Sequence, residues 1–194
     1  MKIAIIPSIK EPYSDQFEYS IDVKLIKFIK KNFPKSEIKV LNIFDKLTNE
    51  FKLLIISGGN SIEKLKKSKK NSFRSKIDNK FFNQAKKNNI FILGICHGAQ
   101  FLADKLGCNF VKKKHVGNHD IFFQKNKKVL NVNSYHNFII QKFKNKNVKI
   151  IASAKDNSVE YFSYKKFIGI MWHPERNKKL EIIDKKILKD LLCN

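Results

Sequence analysis

The chain is poor in cysteine. Cys96, Cys108 and Cys193 are its only three, and they form neither a CxxC pair nor an even framework. A disulfide scaffold and a cysteine zinc site are therefore not expected, and the sequence predicts no metal and no cofactor. Long apolar runs are missing too: no stretch approaches the ~18–20 residues that cross a bilayer. The opening Met1-Lys2-Ile3-Ala4-Ile5-Ile6 is cut off by Pro7, too early for a signal peptide, and reads as a strand. A cytoplasmic protein without a membrane partner is the expectation. Arginine is almost absent: of 40 basic residues only Arg74 and Arg176 are arginine. Phosphate and base-edge readers favour the bidentate arginine fork, and the lysines here are scattered along the whole chain. The net charge of +23 thus reads as a solvated surface of an A/T-rich coding sequence, with no nucleic-acid partner. A positive field of this size would still attract an anionic small substrate. Gly/Ser linkers and repeats are also lacking, so residues 1–194 are expected to form one catalytic domain, long enough for a proper core.

What is present is an alternation of short apolar strands with amphipathic segments. Strands are predicted at 2–6, 37–41, 52–57 and 90–95. Residues 14–31 carry Phe17, Ile21, Leu25 and Phe28 at helical spacing, with Ser14 or Asp15 as N-cap. Helices are also predicted at 79–87 and 97–106, the latter closed by Gly107. This order argues for an α/β fold whose parallel sheet is covered on both faces. After about residue 110 the pattern changes to short hairpin-linked strands at 121–123, 129–132, 148–152, 159–164 and 167–171. A last helix is predicted at 182–192. The fold class is therefore a three-layer, doubly wound, mostly parallel sheet with added antiparallel strands.

In such a sheet ligands bind beyond the carboxyl ends of the strands. Three loops are predicted to meet there: Ser57-Gly58-Gly59-Asn60-Ser61, Gly94-Ile95-Cys96-His97-Gly98, and Trp172-His173-Pro174-Glu175. The second is a nucleophile elbow with sulfur in place of oxygen. Gly94 and Gly98 would permit the sharp strand-to-helix turn, and the following helix N-terminus would favour thiolate at Cys96. His173 can take the thiol proton and Glu175, two residues on, can orient that histidine. The backbone N–H groups of His97 and Gly59 would bind an oxyanion.

With Asn133-Ser134-Tyr135-His136 and the continuation Ala99-Gln100 added, these motifs resemble those of class I glutamine amidotransferase domains over nearly the whole chain. The resemblance implies attack of Cys96 on a γ-glutamyl amide carbon, a thioester, and release of glutamate by water. It implies that Gln100 holds the glutamyl group and that Ser134, Tyr135 and His136 border the pocket for its α-amino and α-carboxylate groups. Trp172-His173-Pro174-Glu175 and Asn133-Ser134-Tyr135-His136 are similar to the γ-glutamyl hydrolase branch, and His97 after the nucleophile and Trp172 before His173 depart from the ammonia donors. Ammonia donors commonly carry Leu and Phe there. A small γ-glutamyl conjugate, nucleotide-linked, is the implied substrate, with a glutaminase subunit serving a separate synthase as the alternative. Lys112-Lys113-Lys114-His115-Val116-Gly117-Asn118-His119 is predicted as a loop that either meets a diphosphate through His115 and His119 or is a solvated cluster. No further ligand beside these histidines is placed by sequence, so metal binding is not expected there.

Overall fold

The computed structural model describes residues 1–176. Five strands form the parallel part of the main sheet, in the order β4-β1-β5-β6-β11: β4 is Glu37–Val40, β1 Lys2–Ile6, β5 Phe51–Ile56, β6 Phe91–Ile95 and β11 Phe167–Ile170. Their apolar runs follow from burial on both faces. Ile3, Ile5, Leu53 and Ile55 point to one side with Leu25, Phe28 and Ile29 of helix α1 (Val23–Asn32). Ala4, Ile6, Leu54 and Ile56 point to the other. There they meet Ile77 and Phe81 of α2 (Lys69–Lys87) and Ala99 and Leu102 of α3 (His97–Lys105). Alternation along each strand thus makes two cores and three layers.

The sheet continues antiparallel through β10 (Val159–Tyr164), β8 (Val129–Phe143), β7 (Cys108–Phe123) and β9 (Lys149–Ala154), and β9 pairs with both β7 and β10. The predicted fold class is the observed one.

Three local expectations are corrected. Residues 14–20 are not helical: β2 (Ser8–Tyr13) and β3 (Gln16–Ser20) form a separate hairpin. Asp15 turns it with φ 65°. Phe17 stacks on Phe73 of α2 at 5.4 Å between ring centres, so its apolar character serves the hairpin. The helix starts only after Asp22, whose carboxylate accepts a 2.9 Å hydrogen bond from the Lys24 N–H. Secondly, the short strands at 121–123 and 129–132 are the inner ends of β7 and β8, which pair over 16 and 15 residues. Thirdly, residues 112–119 are therefore strand, not loop. The predicted helix at 182–192, and Cys193, lie outside the described residues. No helix among the described residues is long and apolar enough to cross a membrane.

Candidate active site

Cys96 sits at the carboxyl end of β6, an inner strand of the sheet, and caps α3 with φ 50° and ψ −99°. A non-glycine residue in this region carries strain, which the surroundings must hold in place. They do so by close packing. A Cβ on Gly98 would lie 2.1 Å from the carbonyl oxygen of Ile56, and one on Gly94 would lie 2.4 Å from the Gly98 backbone. The helix start is thus pressed onto two strands, and only glycine fits at both positions. Cys96 N–H donates to the Ile170 carbonyl at 2.8 Å and Gln100 N–H to the Cys96 carbonyl at 3.0 Å.

β11 runs alongside β6 and delivers His173 to the same point. His173 Nδ1 lies 2.6 Å from a Glu175 carboxylate oxygen, and both side chains are almost fully buried. The other ring edge faces Cys96. A Cβ placed on Gly58 would be 3.3 Å from His173 Nε2 and 3.4 Å from Cys96 Cβ. Burial opposes charge on His173. The Cys96 hydrogen bond and the Glu175 carboxylate outweigh it and push its pKa up to about 9.

Two supporting networks were not assigned roles from sequence. Asn133 of β8 grips the His173 backbone from both sides: its Nδ2 donates to the carbonyl at 2.9 Å, and its Oδ1 accepts from the N–H at 3.1 Å. The motif Asn133-Ser134-Tyr135-His136 contained the signal without revealing the partner. The second network is a fully buried Arg74–Asp78 ion pair on α2, at 2.8 Å. Arg74 also donates to the Pro7 and Ser57 carbonyls at 2.8 and 2.9 Å. Asp78 lies 2.7 Å from His97 Nε2. Burial and the nearby Arg74 charge lower the His97 pKa. The ring is accordingly neutral and donates to Asp78. Its side chain anchors the elbow to α2. Asn60 ties the same Gly58-Gly59 loop to β2 through paired bonds with Ile9, at 2.9 and 3.0 Å.

A cleft of about 300 Å³ opens over Cys96. Gly59, Gln100, Tyr135, His136 and His173 all line it, as do Lys66, Lys70 and Arg176. Gln100 Nε2 donates to the Phe138 carbonyl at 2.9 Å. The Tyr135 ring stands edge-on to His173 at 5.8 Å, with the Arg176 guanidinium 5.1 Å from its centre. Ser134 is fully buried. His136 borders the cleft, but its ring turns toward His115 at 5.2 Å between ring centres. His115 and His119 do not line the cleft at all; they face another hollow, with Lys113 and Asp156. The cationic wall of the cleft consists instead of Arg176, next to the predicted triad in sequence, and of Lys66 and Lys70, which the sequence did not single out.

The chain matches the family Glutamine amidotransferase class-I over residues 13–193. It is 33% identical over 163 residues to the gamma-glutamyl-CDP-amidate hydrolase of Campylobacter jejuni, an alignment covering 82% of this chain and 79% of that one. Among solved structures it is similar to PurLQS from Thermotoga maritima, with TM-score 0.71, 18% identity and coverage of 99% and 97%. A glutamine amidotransferase, also from Thermotoga maritima, gives TM-score 0.68, 18% identity and coverage of 98% and 83%. With a nucleophile elbow, a buried histidine–carboxylate pair and a family match over nearly its whole length, the chain belongs to the class I glutamine amidotransferases.

Proposed function

We propose that this protein is a cysteine-dependent hydrolase of a γ-glutamyl amide, acting on γ-glutamyl-CDP-amidate or a close nucleotide-linked relative. The observation that carries the reading is the convergence of Cys96, His173 and Glu175 at the floor of a cleft walled by Lys66, Lys70 and Arg176. The 33% identical relative named as a hydrolase of that compound supports the substrate class.

The steps follow from the residues. His173 takes the Cys96 thiol proton while Glu175 holds the ring. The sulfur attacks the γ-carbonyl carbon, and the backbone N–H groups of Gly59 and His97 stabilise the oxyanion. Collapse breaks the C–N bond, and His173 returns its proton to the leaving nitrogen. His173 then deprotonates a water molecule, which cleaves the thioester and releases glutamate. Gln100 and the segment Ser134-Tyr135-His136 hold the glutamyl end. The cationic wall faces the diphosphate of the leaving group, cytidine diphosphoramidate, which the same resemblance assigns to the phosphoramidate decoration of bacterial capsules.

The test is glutamate release from γ-glutamyl-CDP-amidate and from free glutamine, with no other protein present. Turnover of the amidate, lost in Cys96→Ala with an unchanged circular dichroism spectrum, is the expected outcome. Hydrolysis of glutamine alone, and only after a synthase is added, would replace this reading with that of a glutaminase subunit. Wild-type rates in Cys96→Ala would sink the mechanism.

A further inference from the structure

Behind the cleft wall, β7, β8 and β10 bring together three of the five histidines around one buried carboxylate. Glu160 is fully buried on β10, and its Oε1 lies 3.3 Å from His115 Nδ1, 3.5 Å from His119 Nε2 and 3.8 Å from His136 Nε2. Ligand atoms of His115, His119 and Glu160 all fall within 4.8 Å of one another. These separations are long for charge-assisted hydrogen bonds, which run about 2.7–2.9 Å. They approach the edge of a tetrahedron built on zinc bonds of about 2.0–2.1 Å, which is roughly 3.3 Å. From these side chains we infer a binding site for one divalent transition metal of the zinc class, with His115, His119 and Glu160 as ligands and His136, 3.8 Å from the same carboxylate oxygen, as the residue that closes the fourth position.

Four further features fit a metal. The set of three imidazoles and a carboxylate is a borderline-soft donor set suited to Zn²⁺. His115 turns its other nitrogen, Nε2, to Asp156 at 3.0 Å. Asp156 is itself held by Lys113 at 2.6 Å and by the Ser158 hydroxyl at 2.6 Å. A carboxylate on the far side of a ligating histidine is the outer partner that fixes its tautomer and orientation. Glu160 Oε2 is buried with no hydrogen-bond partner among the described residues, an arrangement that costs free energy unless something answers the charge. The partly exposed rings of His115 and His119 open onto an outer hollow, which gives an ion an access route. The sequence alone argued against metal because no ligand beside His115 and His119 was visible. Glu160 and His136 are 41 and 17 residues beyond His119 in the chain (160 − 119; 136 − 119), and the sheet supplies them.

The site would be structural. His136 lies on β8, the strand that carries Tyr135 and Asn133, so a bound ion would fix the backbone against which His173 is held.

The experiment uses the full, untagged chain in a Cys96→Ala background, which removes the accessible thiol as a competing ligand. After dialysis against a strong chelator, zinc is titrated in competition with a chromogenic chelator. The expected result is one equivalent bound per chain. His119→Gln should weaken it beyond the ~10–100-fold typical of losing an outer partner, and should do so with an unchanged circular dichroism spectrum. Co²⁺ in place of zinc should give the strong visible absorption of a tetrahedral site, without a thiolate charge-transfer band. Absence of stoichiometric binding, an affinity unchanged in His119→Gln, or the weak absorption of octahedral Co²⁺ would each overturn the inference. None of these readouts depends on turnover, so the proposed activity stands or falls separately.

Discussion

A methyl group at position 58 would sit 2.6 Å from Cε1 of His173 and 3.4 Å from Cβ of Cys96. Gly58→Ala must therefore displace the imidazole from the thiol. A misplacement near 1 Å costs about 10²-fold in rate, and overpacking costs about 1–3 kcal/mol. Steady-state kinetics and a denaturant curve would separate these effects, and a fully active Gly58→Ala would contradict the close approach. His173 supplies a pH signature at the same scale. Its pKa is raised from 6.5 to about 9. The imidazolium that the proposed mechanism uses to protonate the leaving nitrogen is then present up to about pH 9, and kcat/KM should fall on a basic limb there. The stability contribution has the same sign: it is fully present below about pH 6.5 and is lost as pH rises through about 9. Removing the thiol in Cys96→Ala deletes one of the groups that raises this pKa, so the alkaline decline in stability should shrink in that variant.

Among the elements, α2 holds a fully buried ion pair. Arg74 and Asp78 are both fully inaccessible and share their bonds with the loop after β5. Asp78→Asn leaves a buried guanidinium without its counter-charge, which typically costs about 3–5 kcal/mol. Urea denaturation should show a loss of that order, and a change under about 1 kcal/mol would mean that Arg74 finds another partner. Asn133→Ala frees the His173 backbone without touching its ring. It should lower kcat by one to two orders of magnitude, roughly the scale of a small misplacement, while KM changes little. A pure KM effect would reassign Asn133 to substrate binding. These elements also explain what the sequence could and could not reveal. β1, β5 and β6 are legible as unbroken apolar runs because both faces are buried, and α3 is legible from the glycine-flanked cysteine. The hairpin at residues 8–20 is not, because Phe17 pairs with a ring 56 residues away (73 − 17). The length of β7 is hidden because its middle stands largely in water and reads as a polar loop. Cys96, His173 and Glu175 were visible through motif order. Arg74 and Asp78 are a local i,i+4 pair, but the Pro7 and Ser57 carbonyls that Arg74 holds are distant in sequence, as are the partners of Asn133 and of the three-histidine cluster, and no local pattern encodes them.

Across the whole molecule the charge of +23 acts as a field rather than as contacts. Focused on a cleft bordered by Lys66, Lys70 and Arg176, it should raise the local concentration of an anionic substrate. The Debye length shrinks from about 30 Å at 0.01 M salt to about 8 Å at 0.15 M. KM for the diphosphate substrate should therefore rise severalfold over that range, while KM for zwitterionic glutamine stays nearly flat. Parallel slopes for the two would remove the field from the account of substrate choice.

Trp172, the single tryptophan, is fully buried one residue before His173, with its ring set edge-on to Tyr161. Nature has thereby fitted the enzyme with its own lamp. Indole emission from this protein comes from one place, the buried core next to His173, so its colour and intensity report on that core without any attached dye. Unfolding traces followed by this light describe the core beside the candidate active site.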